Sequence, residues 1–329
     1  MKYWRLWIGL PISLICLALV FHGVKWKEIY ETLRQADLLL LSVAAVLIIA
    51  VLIARTARWS VLLITLRKEK SFARLFATLN IGYFLNNILP ARVGDVARAC
   101  LWGRWTGVSK AATLSTIALE HLLDLCAAFV CFLILLPFVF LPNYVLWLGL
   151  SLGMVSILII VFLMVVVRRQ SLVLNAVAYL QSIFPILARL RIEPIVSSLM
   201  EGLLSIRELR RGMVLTLWTL LIWLVQAAFI YLIFCSLKMN TTFIVVIAVM
   251  VFTSLGMIIP SAPGNLGVYH LAAVSALGLF GMGGKQAVGF ALVLHGLSYL
   301  VVSVLGFIYS LQAGLSLGSI ISFTEVTEN

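Results

Sequence analysis

The 329-residue chain is poor in charge, and poorest in acidic residues. Charged residues make up 11% of it, with 12 Asp and Glu against 24 Lys and Arg, whereas 63% of the residues are hydrophobic. This scarcity excludes a soluble globular domain, which carries about twice as much charge. Several apolar runs approach the ~20 residues that a helix needs to cross a bilayer. The composition therefore predicts an all-α polytopic membrane protein, since these runs are far too long for the strands of a membrane barrel.

The sequence also lacks the short motifs on which many enzymes and metal centres depend. Its five cysteines form no CxxC pair and lie mostly in apolar runs, which is typical of small packing residues. No Asp-x-Asp occurs, and the glycine-rich stretch 281–285 lacks the Walker spacing. Glu120, His121 and Asp124 lack the second same-face histidine of a zinc-binding helix. We expect no catalytic residues, no metal and no cofactor.

The formal net charge of +12 comes from basic residues gathered between the apolar runs. Such clusters orient a membrane protein and contact anionic headgroups, so we expect membrane lipids as partners and no nucleic acid. The basic stretches 55–74, 92–110 and 168–211 are predicted to be cytoplasmic, together with both termini. The connections at 142–144 and 238–241 carry little positive charge and are predicted to lie on the opposite side.

We predict a single transmembrane domain over residues 1–317, which contains all the apolar runs. A polar tail follows at 318–329. We expect about six full transmembrane helices, a loop at 22–37, and short amphipathic helices along the inner surface at 168–211. The runs lie at about 4–21, 37–66, 72–90, 111–141, 145–167, 212–236, 242–260, 265–283 and 286–312.

Two of the runs are broken by the same pattern. The segment 85–96 aligns without a gap to 255–266, and each copy has a proline followed four residues later by a glycine, Pro90 with Gly94 and Pro260 with Gly264. Paired Gly/Pro-interrupted apolar segments in the two halves of a membrane protein indicate a transporter's binding site. We therefore predict two broken or re-entrant helical segments arranged as an inverted repeat.

Re-entry follows from the positions of the basic stretches. If the run 72–90 crossed the membrane completely, the stretch 92–110 would lie outside and every later loop would change sides. A segment that enters from the cytoplasm and returns to it keeps the basic stretches on one side. The second broken segment would then enter from the opposite side.

Polar residues at the two breaks, and the carboxylates of the run 111–141, are the candidate substrate-binding residues. A helix beginning near Gly94 would present free backbone N–H groups, Arg92 would add a fork suited to phosphate, and Asp95 would cap that helix or pair with an arginine. The full set is Asn86, Asn87, Pro90, Arg92, Gly94, Asp95, Arg98, Glu120, Asp124, Pro260, Pro263, Gly264, Asn265, Gly267 and His270.

The two carboxylates lie four residues apart and so share one helical face. A charge at the bilayer centre costs about 2.5–3.5 kcal/mol even on the lower scales, so such residues usually face a cavity or an ionic partner. Glu120 and Asp124 are expected to line a lipid path or to hold Arg92 or Arg98; the alternative is that they only brace the fold. His270 would bind a headgroup or satisfy backbone groups left open by the break.

The pattern Asn-x-x-Pro-x-Arg-x-Gly-Asp at 87–95, then Glu-x-x-x-Asp at 120–124, then Pro-x-x-Pro-Gly-x-x-Gly at 260–267 resembles the lysylphosphatidylglycerol synthase transmembrane-region family. Arg55 and Arg58-Trp59 also resemble that family, and the similarity covers about 4–312. The resemblance implies a flippase-like protein of a prokaryotic cytoplasmic membrane. It does not imply synthase activity, because the soluble aminoacyl-transferase domain of the best-known members is not expected here.

The chain departs from the resembled family's pattern in two regions. The family often has Gly-Gly and then Glu where this chain has Gly264-Asn265 and His270, and a late Arg where it has His295. A substrate other than aminoacylated phosphatidylglycerol is therefore open.

Three functions fit the sequence. The first is a flippase for an anionic or aminoacylated phospholipid or a lipid-linked headgroup, acting alone, as a homo-oligomer or with a lipid-modifying enzyme. The second is a secondary carrier for a small solute or ion, which would use broken helices in the same way. The third is a lipid-linked glycosyl or acyl transferase, or its accessory subunit.

Overall fold

A computed structural model describes residues 4–22, 26–66, 71–90, 92–183 and 192–315. This part of the chain is helical and contains no strand. Two short 3-10 turns, Leu204–Ile206 and Pro263–Asn265, join some of the helices. The polar tail predicted at 318–329 lies outside the described residues. The helices are α1 Trp4–Phe21, α2 Trp26–Arg34, α3 Leu38–Leu62, α4 Phe72–Ile88, α5 Val93–Thr106, α6 Lys110–Leu135, α7 Asn143–Arg168, α8 Gln170–Ile183, α9 Ile192–Leu203, α10 Leu209–Ser236, α11 Phe243–Gly256, α12 Val268–Gly278 and α13 Gly284–Gln312.

Among the described residues, five helices are long and apolar enough to cross a membrane: α3, α6, α7, α10 and α13. They have 25 to 29 residues, which is about 38–44 Å of helix against a hydrocarbon core of about 30 Å. The 18-residue α1 is close to the lower limit for a span. The polytopic all-α fold that the composition predicts is confirmed.

Four shorter helices form two hairpins. The first hairpin is α4 with α5, of 17 and 14 residues, and the second hairpin is α11 with α12, of 14 and 11 residues. The arms of each hairpin pack against each other. At 1.5 Å per residue the arms are about 17–26 Å long, so none of them reaches across the hydrocarbon core.

Local chemistry explains why the chain stops being helical at each hairpin tip. Pro90 lacks the N–H that a continuing helix needs, and the next described residue, Arg92, has a left-handed backbone with φ 55°. In the second hairpin Gly264, Asn265 and Gly267 all have positive φ, of 68°, 56° and 87°. Glycine and asparagine adopt this region more readily than other residues, so the sequence accounts for the second break, as Pro90 does for the first.

The two hairpins approach the middle of α13 from opposite ends. On the second half of α13, the Phe76 ring lies 5.7 Å from Tyr309 and Asn87 Nδ2 donates to Ser303 Oγ at 3.0 Å. On its first half, α12 folds back and packs beside α13. If α13 spans the membrane, the hairpins enter it from opposite sides, as the sequence predicts. A strict repeat relation between the two halves stays a prediction.

Parts of the sequence-based assignment are wrong. The predicted loop at 22–37 contains α2, a nine-residue polar helix that shows no long apolar pattern. Arg55 and Arg58, which were grouped with the basic loop residues, lie inside α3. The region 168–211 does form short helices, α8 and α9, but α9 packs against α6 so closely that a Cβ on Gly202 would overlap Ser115 Oγ.

Candidate functional site

Five charged side chains meet where α3, α5 and α6 pack together: Arg55, Arg58, Arg98, Glu120 and Asp124, called here the charged cluster. The arginines of α3 are three residues apart and the carboxylates of α6 are four apart, so each pair shares a helical face. Asp124 is the fifteenth of the 26 residues of α6, close to the middle of a candidate span. The cluster therefore lies inside the helical bundle, with Arg58, Arg98 and Glu120 buried and Arg55 and Asp124 partly exposed.

Asp124 binds both arginines of α3. Its Oδ2 lies 2.7 Å from Arg55 Nη1 and its Oδ1 lies 2.6 Å from Arg58 Nη1. Arg58 is fully buried, and its Nη1 also donates to Thr219 Oγ1 of α10 at 3.1 Å. Tyr83 of the first hairpin lies at 3.5 Å from Arg55. A single carboxylate therefore connects three helices of the bundle and touches the first hairpin through Arg55.

Arg98 of the first hairpin pairs with Glu120. Their Nη2 and Oε2 atoms are 2.7 Å apart, although they lack the alignment of a hydrogen bond. The guanidinium carbon lies 3.7 Å above the Trp59 ring, a cation–π contact, and Trp59 Nε1 donates to Thr116 Oγ1 at 3.1 Å. The expectation that Glu120 holds an arginine of the broken segment agrees with this geometry, whereas Asp124 holds the arginines of α3 instead.

The arginines of the charged cluster have more N–H donors than their partners accept. Three guanidinium groups face the carboxylates of Glu120 and Asp124, and Asp95 at the border of the cluster is close enough to Arg98 to interact with its charge. Within the described part of the chain, Nε and Nη2 of both Arg58 and Arg98 are buried without a hydrogen bond, although Arg98 Nη2 is ion-paired with Glu120, and the two residues are 0% and 1% exposed. A buried unpaired donor of a charged group is costly. Such an arrangement suits an anion that would accept from both forks.

Asp95 extends the charged cluster toward the surface. It accepts from Asn86 Nδ2 at 3.1 Å and lies 3.0 Å from His121 Nε2, whose side chain is 42% exposed. The expectation that Asp95 caps α5 is wrong: Arg92 is the N-cap and makes no side-chain cap bond. Because a Cβ on Gly94 would overlap the Gly82 carbonyl oxygen, α4 lies against the start of α5, and Asp95 pairs across the hairpin and with α6.

Arg92 and Asn87 hold the two hairpin tips together. Arg92 Nη2 donates to the Met257 carbonyl oxygen at 3.3 Å, which joins the first tip to the second. The Asn87 carbonyl accepts from Tyr299 Oη at 3.3 Å, and a Cβ on Gly264 would lie 3.2 Å from the same oxygen. Pro90 belongs to the same tip. These residues therefore lie where the tips meet. Within the described part of the chain they form no hydrogen bond or ion pair with the charged cluster.

The second break is fixed against α1 and α13. Ala262 N donates to Ser13 Oγ at 2.8 Å, and a Cβ on Gly267 would overlap the Ser13 carbonyl oxygen. Asn265 Oδ1 accepts from Ser261 Oγ at 3.1 Å. Pro260 is exposed, and Pro263 begins the 3-10 turn. The proline- and glycine-rich motif therefore forms a turn without charged side chains, held by these hydrogen bonds and close contacts.

His270 is buried and hydrogen-bonds to a backbone group of the second break. Its Nδ1 accepts from Gly267 N at 3.3 Å, and its Nε2 lies 3.4 Å from His295 Nδ1. Both rings are buried, at 4% and 8% exposure. His295 was expected to bond between helices, and it does so here.

The candidate residues therefore fall into separate groups. Asn86, Asp95, Arg98, Glu120 and Asp124 belong to the charged cluster or border it, whereas the residues of the second break do not. Sequence reasoning left Arg55 and Arg58 out of the candidate set. Two arginines three residues apart inside an apolar run are the same signal that selected the carboxylates of α6, and they could have been found that way.

An apolar groove of about 590 Å³ lies beside the charged cluster, between α6, α7 and α9. Leu122, Ile159 and Leu199 form part of its wall, one from each helix, and His121 lies at its edge. Because His121 pairs with Asp95, a polar contact leads from the groove to the charged cluster. A polar group in the cluster and an apolar group in this groove would be adjacent.

Comparison with known proteins agrees with this architecture. Residues 6–306 match the lysylphosphatidylglycerol synthase TM region. The chain is 25% identical over 315 residues to a UPF0104 membrane protein of Methanothermobacter thermautotrophicus, covering 92% of this chain and 91% of that one. It is 24% identical over 332 residues to a UPF0104 membrane protein of Pyrococcus horikoshii, covering 94% and 97%. The family match spans nearly all the helices described above, and the chain belongs to the lysylphosphatidylglycerol synthase transmembrane-region family.

Proposed function

We propose that this protein is a lipid flippase of a prokaryotic cytoplasmic membrane. Its substrate would be a lipid with an anionic or aminoacylated phosphate headgroup, and it would move that lipid between leaflets without chemical change. The observation that carries the proposal is the pair of buried guanidinium groups, Arg58 and Arg98, with donors that no described group accepts. Both termini and the basic loops are proposed to face the cytoplasm.

A phosphate headgroup matches the charged cluster in charge and geometry. Each guanidinium offers donors in a fixed fork, and phosphate oxygens accept two of them at once. In the structure Asp124 and Glu120 hold the arginines, each taking part of the donors. A headgroup would accept from the remaining donors, while the carboxylates keep the arginines in place.

The apolar groove suits the lipid tail. It is lined almost wholly by apolar side chains of α6, α7 and α9, and it lies next to the His121–Asp95 pair. A lipid bound with its phosphate in the charged cluster would keep its chain in this groove or in the surrounding bilayer. This arrangement avoids transferring the tail into water, which would cost about 0.8 kcal/mol per methylene group.

Movement of the hairpins would open the charged cluster to one leaflet and then the other. The tips meet near the middle of α13, where the contacts are few and weak: Arg92 with Met257, and Asn87 with Tyr299 and Ser303. Arg98 and Asp95 belong to the first hairpin. A shift of this hairpin would therefore change access to the headgroup site directly, as in carriers built from broken helices.

A second candidate is a carrier for a small anion, because the charged cluster would bind such an ion equally well. The apolar groove next to the cluster favours the lipid, since a water-soluble ion has no use for it. A transferase is less well supported, because the buried His270 and His295 contact each other and the exposed His121 contacts the Asp95 carboxylate, rather than a nucleophile. We propose transport rather than an enzyme activity.

The test is leaflet exchange in liposomes that contain the purified protein. Fluorescent phosphatidylglycerol and phosphatidylcholine would be compared, with dithionite to quench the outer leaflet. We expect Arg98→Gln to slow exchange of the anionic lipid by about tenfold or more, since losing a charge-assisted hydrogen bond costs about 1.5–3 kcal/mol. The matched control is Arg104→Gln, an exposed arginine on the same helix, which should exchange lipid like the parent.

The outcomes separate the candidate functions. A folded Arg98→Gln protein that exchanges lipid as fast as the parent would refute the headgroup site. Uptake of radiolabelled phosphate without lipid exchange would favour the small-anion carrier. Formation of a new lipid product by the pure protein would favour the transferase.

A further inference from the structure

A second polar site lies away from the charged cluster, between the second hairpin and α13. We propose that the buried pair His270–His295 is a proton-binding site, and that binding a proton releases the tip of the second hairpin from α13. The proton site itself is independent of the proposed function. Only its consequence, proton-dependent lipid movement, rests on that function.

The pair is the centre of a hydrogen-bonded chain that begins and ends in the second break. Gly267 N lies 3.3 Å from His270 Nδ1, and His270 Nε2 lies 3.4 Å from His295 Nδ1. His295 also lies close to the backbone of Gly264. Both glycines belong to the turn that forms the tip, and both have positive φ. His270 therefore connects Gly267 of the tip to His295 of α13, and Gly264 lies beside the same ring.

The donors in this chain follow from its first member. A backbone N–H can only donate, so His270 Nδ1 accepts and its proton is on Nε2. His270 Nε2 then donates to His295 Nδ1, which leaves the His295 proton on Nε2, free to donate to the Gly264 carbonyl. Every bond is satisfied when both imidazoles are neutral, and only one pair of tautomers allows it.

One added proton must break the chain, whichever ring takes it. Both nitrogens of a charged imidazole are donors. A proton on His270 Nδ1 would face the N–H of Gly267, donor against donor. A proton on His295 Nδ1 would face His270 Nε2–H; if His270 changes tautomer to accept it, its Nδ1 gains a proton and loses Gly267 instead. Protonation therefore detaches either the two rings from each other or the tip from His270.

The surroundings of the pair contain nothing that would compensate a charge. Tyr269 of α12 stacks on His295 at 4.6 Å and Tyr299 of α13 lies edge-on at 6.0 Å; these are the titratable groups in contact with the pair. Polar neighbours of the tip are Ser13 of α1 and Asn87 of α4, which are neutral. Arg92 reaches Met257 rather than either ring, and no carboxylate contacts the rings among the described residues.

Release of the tip would loosen its contacts with the first hairpin as well. Gly264 lies between Tyr299 and the Asn87 carbonyl, so a displaced Gly264 would disturb both. The tips would then separate more easily at acidic pH. Under the proposed function, this makes lipid exchange faster at acidic pH.

The direct test is a spin label on the tip. Leu266 is exposed between Gly264 and Gly267, so a nitroxide on Leu266→Cys, with the five native cysteines replaced, reports tip mobility by electron paramagnetic resonance. Lowering the pH from about 8 to about 4, a range wide enough to charge a buried imidazole, should increase the label's mobility. The same change should be absent in His270→Gln/His295→Gln, because glutamine can donate and accept but cannot take the proton.

His22→Gln is the matched control, since His22 is exposed at the end of α1 and should leave the response intact. Unchanged label mobility in the parent, or a response that survives in the double glutamine variant, would overturn the proposal. If the cysteine replacements prevent folding, nitrogen-15 NMR of the histidine side chains in the unmodified protein gives a second test. The four histidines are few enough to assign by single variants, and the pair should change tautomer and protonation together.

Lipid exchange at the two pH values separates this proposal from the proposed function. We expect several-fold faster exchange at about pH 4 in the parent and no pH dependence in the double glutamine variant. Absent lipid exchange with an intact spin-label response would refute the flippase and keep the proton site. Lipid exchange with no spin-label response would refute the proton site and keep the flippase.

Discussion

The two hairpins have the same outline but are stabilised by opposite means. The first hairpin is fixed by charge: Arg98 pairs with Glu120, and Asp95 pairs with His121. The second hairpin is fixed by neutral hydrogen bonds and backbone shape, from Ser13 to Ala262 and through His270 to His295. The difference suggests a division of work, in which the first hairpin binds a charged headgroup and the second controls when the tips separate.

The largest effect should come from neutralising the shared carboxylate of the charged cluster. Asp124→Asn would leave Arg55 and Arg58 buried without their counter-charge, which costs about 3–5 kcal/mol in comparable buried pairs. We expect a large fall in the thermal unfolding temperature in detergent. The double variant Arg58→Gln/Asp124→Asn should lose less than the sum of the two single variants. Additive losses of stability in the double variant would contradict an energetic coupling between Arg58 and Asp124.

A backbone change should be the most damaging change in the second hairpin. Gly264→Ala places a Cβ 2.6 Å from Tyr299 at a φ of 68°, so we expect a loss of about 1–3 kcal/mol in unfolding free energy. Gly278→Ala, at the end of the same hairpin with open space around it, is the matched control and should be neutral or slightly stabilising. Equal effects at the two positions would show that the tip is not strained by a side chain.

The sequence predicted the breaks well because proline and glycine act locally. Pro90 and Gly264 mark the interruptions regardless of what packs around them, and α5 begins at Val93, one residue from the predicted start. The pairing of Glu120 with Arg98 was also anticipated, since a buried carboxylate beside a basic break needs a cation.

The partners of Asp124 could not be read in the same way. Which helix lies beside α6 is decided by the packing of the whole bundle, so nothing local shows that α3 delivers Arg55 and Arg58 there. The contact of His270 with His295 joins two positions that the sequence treated separately. They are 25 residues apart in the chain, and only the fold brings them together.

A substitution with a smaller expected effect tests whether Arg98 acts through its charge alone or also through its planar shape. Arg98→Lys keeps the positive charge beside Glu120 but loses the planar contact with Trp59 and the second arm of the fork, together worth about 1–2 kcal/mol. We expect the protein to remain folded while exchange of anionic lipid slows about tenfold. Arg104→Lys should change neither property. Full lipid exchange by Arg98→Lys would mean that charge alone is sufficient.

The smallest effect on stability should come from the contact that joins the hairpins. Arg92 is exposed and gives one hydrogen bond, to the Met257 carbonyl at 3.3 Å, so Arg92→Gln should cost at most about 1 kcal/mol in unfolding free energy. Its effect on opening should be larger than its effect on stability, because this bond connects the charged first hairpin to the neutral second one. We expect a Leu266 spin label to be more mobile in Arg92→Gln at about pH 8, where the histidine pair is neutral. At about pH 4, where a charged histidine pair would already have released the tip, the variant and the parent should converge. A mobility difference that persists at both pH values would mean that Arg92 and the histidine pair act on separate motions.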